Sequence, residues 1–369
     1  MTDPTITERA FSTRMWGVRQ LIEAEDLSRA IEHGERVVAD AERLLGIDHP
    51  GTQSARNLLA VAYRSAGQLT QSIALLEAVV DSRTSALSAL HHDTLVSRSE
   101  LAYAYHQAGR LDAAIQEFEQ LVTDHTEAFG ADDPHTLAQR HDLAGTYRLA
   151  GRFEEAITLL ESVHADKRRV MGPDDPSTLT TLNNLGHAYL AGGRHDDAIA
   201  TLEAVCVDRA RRLGDDHPDV LSARNNLAAA YYADKRFDEA IVLLEQVCVD
   251  LASHLGDSHP KTLSSRDNLA AVYSAAGRAE ESLVLHEAVM ADFLTVLGAD
   301  HPDTLQARNN LASAYEKVGR LQTSATLHEL NLAQRVRILG DSHPDTSVTR
   351  TSLARVTTDP ANSHPSEES

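Results

Sequence analysis

Residues 213–247 read LGDDHPDVLSARNNLAAAYYADKRFDEAIVLLEQV, and residues 297–331 read LGADHPDTLQARNNLASAYEKVGRLQTSATLHELN. The second is the first moved along by two steps of 42 residues. Pro50, Pro134, Pro176, Pro218, Pro260, Pro302 and Pro344 keep that step or a multiple of it, and His92 fills the one gap in register. Ala30-Ile31, Ser72-Ile73, Ala114-Ile115, Ala156-Ile157, Ala198-Ile199, Ala240-Ile241 and Ser282-Leu283 keep it too. No insertion or deletion interrupts eight units. Such a register marks a repeat array, in which each unit packs on its neighbours rather than around one central core.

Each unit divides into two helices. In the fourth, Asp175 is a plausible N-cap and Pro176 takes the first helical position, where a missing N–H costs nothing. Leu179, Leu182, Leu185 and Tyr189 follow at helical spacing, and Gly192-Gly193 ends the helix. The second helix runs from about Asp196 to Arg212, with Ala198, Ile199, Leu202 and Val205 apolar, and Gly214 closes it. Neither helix buries its apolar stripe alone, so stacking stabilises both. The linker LSALHHDTL of the third unit lacks both Gly and Pro, which predicts a softer junction, and Lys235 replaces a turn glycine in the fifth.

The ends differ from the middle. Residues 1–9 read as a loose tail and 10–45 as a degenerate capping unit, followed by seven regular repeats over 46–343. One more first-type helix, 344–357, carries Ser347, Thr349, Thr351 and Ser352 where neighbours are apolar or Asn, as a polar cap would. Residues 358–369, TDPANSHPSEES, read as a disordered tail.

Composition narrows the function classes. Aromatic residues make up only 4% of the chain, which suits close-packed helices rich in Ala, Leu and Val. The net charge of −21 argues against nucleic acid and against an anionic membrane surface. No stretch approaches the roughly 20 apolar residues of a membrane span, and the first residues lack the apolar core of a signal peptide. Cys206 and Cys248 lie one period apart, too far for a disulfide between stacked helices. They read as small buried hydrophobes in a reducing cytoplasm.

Leu185, Gly186, Tyr189, Gly193, Ala198 and Ile199, with Leu227, Ala228, Tyr231, Ala240 and Ile241 one unit on, form a pattern that resembles tetratricopeptide repeats. The 42-residue period, the LG-x-x-HP linker and the Asn-Asn pair are similar to the kinesin light chain variety, also common in bacterial regulators. The resemblance implies an all-α, right-handed superhelical solenoid of antiparallel helix pairs, about eight repeats plus a C-terminal capping helix. It implies that the first helices line a concave groove.

A constant step turns each repeat position into a row of side chains. The first row is Asn184, Asn226, Asn268 and Asn310, with Asn183, Asn225 and Asn309 beside them. Asn inside a helix costs roughly 0.7 kcal/mol relative to Ala, so its repeated use needs a reason. An amide both donates and accepts, and so can hold a peptide backbone without reading its side chains. The resemblance assigns these residues that role, flanked by His187, Arg224, Arg266 and Gln306; the structural alternative is amides bonding one another or a neighbouring helix. Toward the N-terminus the row decays to Asp142, Glu100 and Leu58.

A second row, Arg56, Arg98, Arg140, Arg224, Arg266, Arg308 and Arg350, has the same step as a third, Glu77, Glu119, Glu161, Glu203, Glu245, Glu287 and Glu329. Matched signs predict Arg–Glu pairs between helices. The linker histidines His49, His217, His259, His301 and His343 stand a repeat apart, too far to share a metal ion, and read as cap chemistry. The zinc-protease helix, phosphate loop and nucleophile elbow motifs do not occur.

These readings predict a cytoplasmic, non-enzymatic scaffold without cofactor, monomeric or dimeric. It would bind an extended protein or peptide segment along the Asn row. The alternatives are a sensor arm bound to an ATPase or transcription regulator, and a self-assembling structural protein.

Overall fold

The computed structural model describes residues 4–341 and 343–358. Among them are seventeen α-helices. The chain forms two compact units, Met1–Gly192 and Gly193–Ser369. The first holds α1 (Pro4–Glu23), α2 (Leu27–Leu45), α3 (Pro50–Ser65), α4 (Leu69–Ala86), α5 (His92–Gln107), α6 (Leu111–Phe129), α7 (Pro134–Leu149), α8 (Phe153–Val170) and α9 (Pro176–Ala191). The second holds α10 (His195–Leu213), α11 (Pro218–Ala233), α12 (Phe237–Leu255), α13 (Pro260–Ala275), α14 (Ala279–Leu297), α15 (Pro302–Lys317), α16 (Leu321–Leu339) and α17 (Pro344–Thr358).

One difference from the sequence reading lies at the start. Residues 4–9 are not a loose tail but the beginning of α1. Pro4 fits the first helical position, and nothing between it and Phe11 breaks a helix. The C-terminal tail from 359 on, like residues 1–3, lies outside the described residues.

The linker histidines cap the first-type helices. Nδ1 of His49, His91, His217, His259, His301 and His343 accepts the backbone N–H two residues on, at 3.1–3.2 Å. Asp133 and Asp175 do the same with a carboxylate oxygen at 2.8 Å. An unprotonated Nδ1 is therefore part of the turn.

Within each unit every helix packs on the next along the chain. The helices of a pair approach closely because small residues face each other: Ala102 and Ala114, Ala144 and Ala156, Ala228 and Ala240 are all fully buried. Around them sit larger side chains, Phe118, Leu121 and Ile115 in the first unit and Leu244, Ile241 and Leu269 in the second.

The non-glycine residues with positive φ are Glu25 (57°), Ser88 (120°) and Lys235 (62°). Each stands where the repeat otherwise has glycine: Glu25 and Lys235 in the row of Gly67, Gly109 and Gly151, Ser88 in the row of Gly46, Gly130 and Gly172. The third linker thus keeps the fold of the others despite its sequence, at the cost of a backbone conformation that L side chains resist. Ser88→Gly and Lys235→Gly are each expected to raise stability by about 0.5–1 kcal/mol, read as a higher urea midpoint with unchanged slope.

Candidate functional site

In the second unit, α11, α13 and α15 carry the Asn row at one step. Asn225 and Asn226 are half-buried on α11, Asn268 is exposed on α13, and Asn309 and Asn310 are half-buried on α15. The amides bond diagonally to the preceding helix of the row. Asn268 Nδ2 donates to Asn225 Oδ1 at 3.4 Å, and Asn310 Nδ2 donates to Asp267 Oδ2 at 2.6 Å. The structural alternative therefore describes part of what the row does. Asn310 is the more committed, since its oxygen also accepts from Gln306 Nε2 at 3.0 Å. Asn268 spends one donor on a long bond, and an amide has two donors and an acceptor oxygen.

Beneath Asn225 and Asn268 lies a cavity of about 170 Å³ floored by Ala228, Leu244 and Val272, with Tyr232 at its rim. Tyr232 is 43% exposed, unusual for a large aromatic ring here. An apolar hole of this volume has room for one aliphatic side chain.

Asp267 stands in the row of Asn225 and Asn309, and the sequence reading passed over it. Its Oδ1 accepts from His286 Nδ1 at 2.7 Å, so the carboxylate ties α13 to α14 as well as to α15. His286 is only 3% exposed and replaces the buried leucine of the equivalent helices, such as Leu244 and Leu202. The two departures fall in one repeat and belong to one interaction. That coincidence was the available signal.

The flanking arginines do not join this face. Arg224 and Arg266 fold back onto the linker ahead of their own helices, bonding the Asp215 and Asp257 carboxylates and donating to those residues' carbonyl oxygens at 3.3 and 3.2 Å. Gln306 is exposed beside Asn310 and also accepts from Arg335 at 3.1 Å.

In the first unit the same face mixes amides with titratable side chains. Asn184 Nδ2 lies 2.8 Å from His141 Nε2, and His141 Nδ1 lies 3.1 Å from Thr181 Oγ1. Thr181 also accepts from the buried Lys167 ammonium at 3.0 Å. Asn183 is half-buried beside Asn184, as is His187, whose ring burial holds below the usual histidine range. Burial pushes His141 down to about 4, with Lys167 adding to the effect. Burial pushes the neighbouring Asp142 up to about 6, against the opposing pull of the Tyr103 hydroxyl bonded to it and of Lys167.

A carboxyl whose folded pKa lies above its unfolded value contributes stability below the unfolded value and loses it as pH rises through the folded one. Asp142→Asn keeps an acceptor for Tyr103 and removes that loss. It is expected to stabilise the first unit by about 1–2 kcal/mol at pH 7.5, with the advantage gone near pH 4. Urea titrations of both proteins at the two pH values check this.

The predicted Arg–Glu pairing is replaced by two separate systems. The glutamates accept from tyrosine hydroxyls 28 residues on: Tyr105 to Glu77 and Tyr147 to Glu119 at 2.7 Å, Tyr231 to Glu203 and Tyr273 to Glu245 at 2.8 Å. An arginine then covers the ring, with Arg152 4.2 Å from Tyr147 and Arg278 4.1 Å from Tyr273. The arginine row pairs elsewhere: Arg56 with Glu42, Arg98 with Glu117 and Asp124, Arg140 with Asp166, Arg308 with Gln334 and Arg350 with Asp341. Equal spacing identified the rows but not which rows touch.

Comparison with known proteins agrees with this architecture. A family model described as tetratricopeptide repeat matches residues 51–127, 93–165, 135–206 and 261–330, and a second of the same description matches 21–51 and 220–261. Among solved structures, kinesin light chain nearly identical TPR-like repeats of Podosopora anserina are 35% identical, over 56% of this chain and 97% of that one, with a TM-score of 0.47. The apo quorum sensor NprR from B. thuringiensis is 14% identical over 89% of this chain and 88% of that one, with a TM-score of 0.60. A Rap protein complexed with competence and sporulation factor is 10% identical over 95% and 98%, with a TM-score of 0.53. The search of curated proteins returned no match.

Proposed function

The chain belongs to the tetratricopeptide repeat family, and from that premise we propose that it is a protein-interaction scaffold whose second unit holds an extended peptide along α11, α13 and α15. The observation that carries this reading is the cavity between Asn225 and Asn268. Amides stand at its mouth and only apolar side chains line its floor. An extended segment arrives with unpaired backbone groups, which amides satisfy whatever the sequence. The cavity adds selectivity for one aliphatic residue. On the first unit's face Asn184 is bonded to His141 instead, so the amide-dependent contacts belong to the second.

Selection of random 16-residue peptides displayed on phage tests the proposal. Peptides recovered on the wild type are expected to bind Asn225→Ala/Asn268→Ala at least tenfold more weakly, with helix content unchanged. Their shared feature is one aliphatic position. Peptides that bind both proteins equally would remove the amides from the site.

A further inference from the structure

Four valines of the second unit stand in water on the second-type helices. Val207 on α10, Val242 and Val249 on α12, and Val284 on α14 are 66%, 69%, 64% and 66% exposed. They are not scattered. Val249 is Val207 moved on by one repeat, and Val284 is Val242 moved on by one. Val242 and Val249 lie on one side of α12, two turns apart. Elsewhere these two rows hold Ala74, Gln116, Thr158, Ala200 and Thr326, or Asp81, Thr123, Ala165 and Ala291. A β-branched residue on an exposed helix surface is worse than alanine, so the fold gains nothing from valine there. Beside Val242 a shallow groove of about 610 Å³ continues the apolar surface over Leu227, Tyr231 and Leu243.

The surround of this patch is mainly acidic, and Arg211, one turn beyond Val207, is itself paired with Asp208 at 3.3 Å. Residues 196–207, 238–249 and 280–291 contain no Lys or Arg. Arg194, Arg236 and Arg278 at the helix starts are each bound to one carboxylate, Asp197, Glu239 and Glu281. Asp196, Asp238 and Glu280 add negative charge beside them, and Glu203, Glu245 and Glu287 accept from neutral tyrosine hydroxyls rather than from a cation. Apolar stripes between carboxylates complement a helix with aliphatic side chains on one face and Lys or Arg beside them.

We infer that α10, α12 and α14 form a second docking surface, for a cationic amphipathic helix of a partner protein. It lies on the second-type helices and does not depend on the Asn row. The probe is a synthetic 18-residue helix of Leu and Lys with all Leu on one face, its binding to the full chain followed by fluorescence anisotropy at 0.15 M salt. The expected result has three parts. Val207→Gln/Val242→Gln/Val249→Gln/Val284→Gln weakens binding at least tenfold. A peptide of the same composition with scattered Leu binds wild type at least tenfold more weakly. Asn225→Ala/Asn268→Ala changes nothing. Gln is a good helix former at exposed positions, so the variant is expected to keep its fold, checked by circular dichroism. Equal binding of the Gln variant, or of the scattered peptide, would reduce the effect to charge alone and overturn the inference. So would sedimentation showing a wild-type dimer that the Gln variant dissolves, because the occupant would then be a second copy.

Discussion

Phe118→Ala is expected to cost about 3–5 kcal/mol of the first unit's stability, the range for losing a large side chain from a packed site. Phe118 on α6 is fully buried among Leu95, Ile115, Leu121 and Leu143. Its ring meets Tyr103 edge-on, with centroids 5.5 Å apart. Tyr103 in turn donates to Asp142, so the cavity would also free the side chain that satisfies a half-buried carboxylate. The same row holds leucine at Leu76 and Leu160, so Phe118→Leu should cost under about 1.5 kcal/mol. In a repeat array the loss stays near its source. Hydrogen exchange should show α5 to α8 opening more readily while α11 to α15 are unchanged. Uniform loss of protection over the whole chain would contradict nearest-neighbour stabilisation.

The second large effect concerns the last helix. α17 buries only Thr346, Thr349 and Val356. What fastens it is Arg335 of α16, 3% exposed, whose Nη1 donates to the Asp345 carbonyl and to Thr349 Oγ1, both at 2.9 Å. Burial pushes its pKa down, but a guanidinium stays charged, so removing it takes a charged donor from both acceptors, although the Thr349 hydroxyl still donates to the Asp345 carbonyl at 3.1 Å. Arg335→Ala is expected to cost about 3 kcal/mol of docking, since bonds to a charged group contribute roughly 1.5–3 each. Exchange of amides 344–358 should then accelerate about a hundredfold. Arg335→Lys should retain most of the protection, because Lys167 in the same row reaches Ser177 at 2.7 Å and Thr181 at 3.0 Å. Unchanged exchange in the alanine variant would show that the other ties of α17, including Arg355 to Glu316 at 2.8 Å, hold it without Arg335.

Much of this architecture could be read from the sequence because the repeat repeats its boundaries. Proline at the first helical position, histidine or aspartate before it and glycine after the helix all recur in register, and backbone rules act on each independently of tertiary structure. The Asn row was legible for the same reason. What escaped is what depends on neighbours. The glutamates face tyrosines, not arginines, because a side chain's reach across a helix pair is set by packing direction as well as spacing. The buried cations Arg83, Lys167 and Arg335 share a row that His125, Leu251 and Phe293 interrupt, so no constant letter marked it. Asp267 and His286 looked like isolated departures, although each is the other's partner.

The central claim is that main-chain groups of a bound peptide meet the amides of the second unit. Calorimetry of one phage-selected peptide and its singly N-methylated forms, on wild type and on Asn225→Ala/Asn268→Ala, tests it most directly. Methylation removes one backbone donor and leaves every side chain in place. At least one methylated form is predicted to bind wild type tenfold or more weakly, and that penalty should disappear in the double variant. A flat methylation series on wild type, or a penalty of equal size on both proteins, would contradict the account.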